Sequence, residues 1–298
     1  MRMLRSHVRS LPVFLQRVVL PSVVGSFLIA LPLSAQSLPD FMEHWEFGLN
    51  VEEDDGPDYF ADLLFPLYRH PADERVLFFE PRAKYADGEH LFNFGWGVRE
   101  MILNRTWLVG ANMFYDYETQ YSHYRLGWGL EALSAYAELR SNVYLGMSQE
   151  RLVEETPVST LFEEAVNGYD VELGMPVPYY SRLKLFGGFE WYNFEEFKNR
   201  YGWQLRAEYT PVPFVVIDGL VSNSTKSNLD WGMTVAFKIP LGANDPRQIR
   251  SPLRLDDTMF PAGDAGAHLF RLVERRHEIV VERRSQTGAV SVEVLRGT

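Results

Sequence analysis

The stretch Leu91-Phe92-Asn93-Phe94-Gly95-Trp96-Gly97-Val98-Arg99-Glu100 carries the reading of the fold. In an extended chain successive side chains point to opposite faces. Phe92, Phe94, Trp96 and Val98 therefore share one face, and Asn93, Gly95, Gly97 and Arg99 share the other. Moving outward, the same period of two returns. Trp107, Val109, Ala111, Met113 and Tyr115 alternate with Gly110, Asn112 and Asp116. Tyr124, Leu126, Trp128 and Leu130 alternate with Arg125, Gly127, Gly129 and Glu131, and Trp203, Leu205, Ala207 and Tyr209 with Gln204, Arg206, Glu208 and Thr210. Leu229, Trp231, Met233, Val235 and Phe237 oppose Asp230, Gly232, Thr234, Ala236 and Lys238. Alternation of this kind predicts strands, and long ones.

Twelve such segments can be counted: 45–51, 58–67, 75–85, 91–101, 107–117, 123–131, 135–146, 168–175, 182–194, 201–211, 213–222 and 228–238. Soluble strands average about five or six residues, whereas about nine to eleven cross a bilayer at a tilt. The expected fold class is all-β, a transmembrane antiparallel β-barrel of about 12 strands. The alternative is a soluble β-sandwich with one face in a core and the other in water. It accounts less well for the strand lengths, and for Trp107, Tyr115, Tyr124, Trp203 and Tyr209 at strand ends, where interfacial girdles lie.

Hydrocarbon offers no hydrogen-bond partner, so strands cross it only in a sheet without a free edge. Every second side chain then meets lipid and the rest meet the lumen. On this reading Trp96, Trp128, Trp203, Trp231, Val235 and Phe237 face lipid. Arg99, Arg125, Glu131, Glu138, Arg140, Glu172, Lys184, Glu190, Arg206 and Glu208 face the lumen, where opposite signs on neighbouring strands can pair. An Arg or Lys on the lipid face at mid-depth would cost about 2–4 kcal/mol. The connections agree with a barrel. Arg69–Asp73, Leu103–Arg105, Ser134, Pro176–Pro178 and Pro211–Pro213 make one compact set, whereas Glu52–Pro57, Ser148–Asn167 and Glu195–Arg200 are longer and more charged. Ser148–Asn167, with Glu150, Glu154, Glu155, Glu163 and Glu164, is expected as a solvated loop.

The ends of the chain differ from this middle. Arg2, Arg5, Arg9 and Arg17 precede an apolar run from Val18 to Leu33 with small residues behind it, as in a secretory signal; a membrane anchor is the alternative. The expected organisation is a signal peptide over 1–36, a lead over 37–44, an outer-membrane barrel over 45–240, and a pore linker with a short tail over 241–298. No stretch after Leu38 is long and apolar enough for a membrane helix. A formal charge of −11 argues against a nucleic-acid partner. The chain has no cysteine, which rules out disulfides, thiolate metal sites and cysteine nucleophiles.

Several segments resemble the membrane domain of the intimin/invasin family, the inverse autotransporter β-domain. They are Asp62-Leu63-Leu64-Phe65-Pro66-Leu67-Tyr68, Gly110-Ala111-Asn112-Met113-Phe114-Tyr115-Asp116-Tyr117, Tyr124 to Glu131, Asn167-Gly168-Tyr169-Asp170-Val171, and Glu208-Tyr209-Thr210-Pro211-Val212-Pro213. Beyond them, Phe270 to Glu282 resembles the segment that joins that family's barrel to its passenger. The resemblance implies a twelve-stranded barrel with both ends in the periplasm, and a linker that returns through the pore carrying a passenger, often an adhesin, to the cell surface by type V secretion. Twelve tilted strands give a backbone diameter near ~24 Å, room for one extended chain. The family commonly carries hundreds of passenger residues and this sequence stops at Thr298, so the expected function is export or retention of its own C-terminal segment. The alternatives are a small passive channel, a structural barrel without export, and the remnant of an adhesin. Expected partners are outer-membrane lipids, periplasmic chaperones and the general barrel-assembly machinery, which by analogy reads the last strand around Trp231–Phe237; a peptidoglycan or host contact is left open.

Enzymatic activity is not expected, nor is a cofactor. No two histidines of the mature chain sit at a metal-ligand spacing. His123 follows Asp116 and Ser122 near one rim, an arrangement that chance supplies often. Gly95, Gly97, Gly127 and Gly129 leave clearance for a passing chain or for tight strand coiling. The tail Leu269–Arg284 mixes Arg271, Arg275, Arg276, Arg283 and Arg284 with Glu274, Glu278 and Glu282, with a short strand expected at His277–Glu282. It reads either as a solvated tail or as the start of an exported segment resting in the pore.

Overall fold

The computed structural model describes residues 45–52, 56–86, 88–239, 253–260, 263–287 and 290–293. The signal-peptide and lead expectations over 1–44 lie outside the described residues. The long alternating segments become strands β1 (Trp45–Glu52), β2 (Asp58–Leu63), β3 (Phe65–Arg69), β4 (Arg75–Ala86), β5 (Glu89–Ile102), β6 (Trp107–Glu118), β7 (Tyr124–Ser134) and β8 (Glu138–Gly146). After a hairpin of β9 (Arg151–Glu155) and β10 (Thr160–Ala165) come β11 (Asn167–Val177), β12 (Tyr180–Asn193), β13 (Arg200–Val212), β14 (Val215–Ser224) and β15 (Asp230–Ile239). β16 (Val281–Thr287) and β17 (Val290–Glu293) follow in the tail.

β1 pairs antiparallel with β15 from Trp45↔Ile239 to Glu52↔Gly232, which closes the sheet on itself. β2 and β3 both pair with β4 and form one stave interrupted at Leu64. Counted that way the barrel has 12 antiparallel staves, and no described barrel strand is left as an edge. Five tight turns lie at one end, called the turn end, with both barrel termini. The longer connections lie at the other, the loop end.

The pleat sorts the side chains as the period of two requires. Trp96, Trp128, Trp203, Trp231 and Phe237 are exposed on the outside, and Val235 is half-buried. On the other register Arg99, Arg125, Glu131, Glu138, Arg140, Glu172, Glu190 and Glu208 are buried, with Lys184 and Arg206 half-buried. The inward register is not uniformly polar. Leu64, Val76, Phe78, Met101, Leu108, Phe114 and Leu133 point inward and form an apolar core with Ala265, Leu269 and Val273 of the tail.

Two local expectations are corrected. Ser148–Asn167 is not simply a solvated loop: it holds the β9–β10 hairpin, and β10 pairs with β16 from Thr160↔Gln286 to Ala165↔Val281. Together β17, β16, β10 and β9 make a second sheet of four strands at the loop end. The tail strand also starts later than expected, at Val281 rather than His277. The carbonyls of His277, Glu278 and Val280 accept instead from the side chains of Asn93 and Arg125 and from Val166 N.

Candidate functional site

The tail runs through the barrel from the turn end to the loop end. At the turn end it is held by strand connections. Asp256 N donates to Tyr179 O at 2.7 Å, and Tyr179 N to Met259 O at 2.8 Å. Leu103, Asn104 and Arg105 take three successive left-handed conformations (φ 49, 55 and 64). That tight turn lets Arg105 reach Asp264 at 2.7 Å and the carbonyls of Ala72 and Asp73 at 3.0 Å each. The guanidinium holds the Asp264 carboxyl below the usual aspartate range. His268 then lies 3.0 Å from the Ser134 carbonyl as the chain enters the apolar core.

An extended segment without strand neighbours must still satisfy its N–H and C=O groups. Here the wall supplies the partners. Arg99 donates to Leu269 O at 3.1 Å and also to Arg271 O. The Glu80 carboxylate accepts from Val273 N at 3.1 Å, and the Tyr144 hydroxyl from Arg276 N at 3.0 Å. Arg125 donates to the carbonyls of Arg276, His277 and Glu278 at 2.9, 3.2 and 2.8 Å, and Asn93 to His277 O at 3.2 Å.

The tail's charges also find partners. Arg271 meets Glu138 at 3.0 Å and contacts Glu208; Arg275 meets Asp116 at 2.7 Å; Arg276 meets Glu190 at 2.6 Å; Glu278 meets Lys84 at 2.9 Å. At Gly127 an added Cβ would come within 2.9 Å of Arg275 Nη2, so this glycine does leave clearance for the tail. Gly95 and Gly97 serve a different purpose: their missing side chains are replaced by the rings of Phe114 and Phe78 on neighbouring strands, 2.3 and 2.2 Å from where a Cβ would sit.

The ten charged wall positions fall into groups. Glu138, Arg140, Glu172, Lys184, Arg206 and Glu208 make one network across β8–β13, with Arg140 and Arg206 reaching Glu172 at 3.1 and 2.9 Å. Arg99 pairs with Glu131 at 2.5 Å, Arg125 with Asp116 at 2.7 Å and Glu190 with Arg200 at 2.9 Å. The sequence reading put Asn93 and Asp116 on the polar register without singling them out, and did not reach Glu80, Lys84 or Tyr144. The signal was available, since each shares the inward parity of its strand. Beside the tail, a polar cavity of about 230 Å³ remains, bordered by Arg140, Asp170, Glu172 and Arg206 of the wall and by Arg276 of the tail.

His123 is not brought to Asp116, whose oxygens are taken by Asn93, Arg125 and Arg275. It lies 3.0 Å from Ser148 Oγ and 3.4 Å from the Glu163 carboxylate, which also pairs with Arg283 of β16. The buried ring thus ties the β6–β7 connection to the hairpin and the tail. Glu282 caps the exit by accepting from the backbone N–H groups of Glu195, Glu196 and Phe197 at 2.7, 3.1 and 2.9 Å. Burial raises the Glu164 carboxyl nearby, and the charges of Glu195, Glu150 and Glu282 add to that rise.

A family model described as the inverse autotransporter β-domain matches residues 30–276. The invasin of Yersinia enterocolitica is 26% identical over 242 residues, covering 76% of this chain and 27% of the relative. The inverse autotransporter adhesin YeeJ of Escherichia coli K12 is 26% identical over 237 residues, covering 76% of this chain and 10% of the relative. This chain thus spans only a minor part of either protein. Among solved structures, a membrane protein studied for its in-meso crystallization superposes with a TM-score of 0.64 at 22% identity, over 80% of this chain and 99% of the other. That likeness shows the fold.

Proposed function

The chain belongs to the inverse autotransporter β-domain family and resides in the outer membrane, and from that premise we propose that the barrel exports its own C-terminal segment through the lumen and then retains it there. The observation that carries the reading is the continuous path of residues 263–287, clamped at the turn end, satisfied by the wall, and paired with β10 at the loop end. With the turn end in the periplasm, that path points outward. From Leu269 to Val280 there are eleven residue steps, a contour of at most about 36 Å at ~3.3 Å each, comparable with the thickness of the membrane.

No nucleotide or metal is needed. Once β16 has paired with β10 and β17, retreat costs those hydrogen bonds and the Glu282 cap. The barrel reaches its lipid environment with the help of periplasmic chaperones and the general barrel-assembly machinery. A passive channel is the weaker reading, because the tail occupies the side of the lumen formed by β4–β8.

The test is protease shaving of intact cells carrying the full chain with an epitope after Thr298. Export predicts loss of the epitope alongside cleavage in the β9–β10 hairpin. An epitope that survives while the hairpin is cut contradicts export.

A further inference from the structure

The contacts between wall and tail are of two kinds, and the difference has a consequence for how a chain moves. Arg99, Arg125, Glu80, Asn93 and Tyr144 bind main-chain atoms, which every sequence presents. Asp116, Glu138 with Glu208, Glu190 and Lys84 bind side chains at 275, 271, 276 and 278. We propose that the lumen wall is a two-part binding site for an extended polypeptide: a backbone-reading track that holds any sequence, and four ion-pair sockets that arrest the tail in one register.

The sockets are selective because their spacing is irregular. A slip of one residue toward the loop end sets Glu274 against Asp116, Phe270 against Glu138 and Glu208, and His277 against Lys84. A slip of two, which keeps the alternation of faces, sets Glu274 against Glu190 and Arg276 against Lys84. A slip of two the other way sets Glu278 against Glu190. Like charges this close are unfavourable, most of all at Asp116, where the pair with Arg275 is almost fully buried. Only the observed register fills all four sockets with opposite charge.

The sockets are also quiet when unfilled. Asp116 has Arg125 at 2.7 Å, Glu138 has Arg140 and Lys184, Glu190 has Arg200 at 2.9 Å, and Lys84 has Asp58 at 2.6 Å. A chain in transit therefore meets wall charges that are already partnered, together with donors and acceptors for its backbone. The matching tail adds a further partner to each. This inference rests on the export reading for its purpose, but not for its geometry.

The absence of native cysteine allows a direct test in the full chain in outer membranes. Ala165 and Val281 are cross-strand partners, so the pair Ala165→Cys/Val281→Cys reports the arrested register through disulfide yield after oxidation. The unaltered tail should give a high yield. Arg271→Gln/Arg275→Gln/Arg276→Gln should lower it several-fold, Arg275→Gln alone should give an intermediate yield, and the triple Lys variant should retain most of it. Heat-modifiable migration reports that each barrel has folded. Equal yields for the Gln and unaltered tails would overturn the sockets. Replacing residues 269–280 by a neutral Ser/Thr sequence should abolish the register-specific yield while a C-terminal epitope still reaches the cell surface. Loss of surface exposure in that variant alone would overturn the track. Loss in every variant, the unaltered chain included, would instead overturn export and leave the cross-linking result standing.

Discussion

Replacing Arg99 by Met tests whether the interior is held by paired charge. Arg99 is fully buried, binds Glu131 at 2.5 Å, and donates to the carbonyls of Leu269 and Arg271. Met keeps the aliphatic volume against the Phe78 ring, over which the guanidinium sits at 4.9 Å. What is lost is the charge and the donors. Breaking a buried ion pair by removing one partner costs about 3–5 kcal/mol, because the other charge stays behind. Each carbonyl left dry adds about 1–3 kcal/mol. These losses share one site and are not additive, so the expected loss is about 3–5 kcal/mol rather than the sum. Arg99→Met/Glu131→Leu removes the stranded acid as well and should be less destabilised than the single change, its loss being confined to the two carbonyls. Urea unfolding of the full chain in lipid vesicles, read from midpoints at constant slope, measures both. A double variant no more stable than the single would refute the claim that Glu131 depends on Arg99.

Further expectations follow from other parts of the molecule. Leu205, exposed at mid-strand in β13, should not tolerate Arg, with a cost of about 2–4 kcal/mol and loss of outer-membrane assembly, whereas Gln204→Arg next to Glu172 should assemble; equal assembly of both contradicts the register. Glu282→Ala strips the cap from three backbone N–H groups and should open the Glu195–Phe197 connection by about 2–3 kcal/mol, a rise of one to two orders of magnitude in local proteolysis. Because Asp264 titrates below its unfolded value, the Arg105 clamp contributes stability above the unfolded aspartate pKa of about 3.9 and loses it as pH falls through the folded value. Hydrogen exchange at the Ala265 amide, bonded to Arg105 O, should therefore accelerate on acidification below about pH 4 relative to the intrinsic rate, and less in Asp264→Asn.

The barrel was legible because its strands are long and each carries its own record of two solvents. Phe92 to Arg99 shows both faces without reference to any partner, and the pairing of neighbours follows from short turns. The β9–β10 hairpin was harder to read. Arg151–Glu155 is only five residues long, and β10 finds its second neighbour in β16, more than a hundred residues later. Nothing local distinguishes such a strand from an acidic loop. The path of the tail was equally hidden, since residues 269–280 are surrounded by wall on several sides and so show no period. The apolar stopper of Leu108, Phe114 and Leu133 was visible in principle. These side chains sit at inward parity, where a water-filled lumen would not want them, and they announce that something apolar fills that end.

The claim on which the account depends is that the tail occupies the lumen from one end to the other. Planar-bilayer recording of the full chain, compared with a chain ending at residue 245, measures this most directly. Occupancy predicts a nearly closed barrel for the full chain and a large, steady conductance once the tail is removed. A large conductance of the same size in both would contradict it.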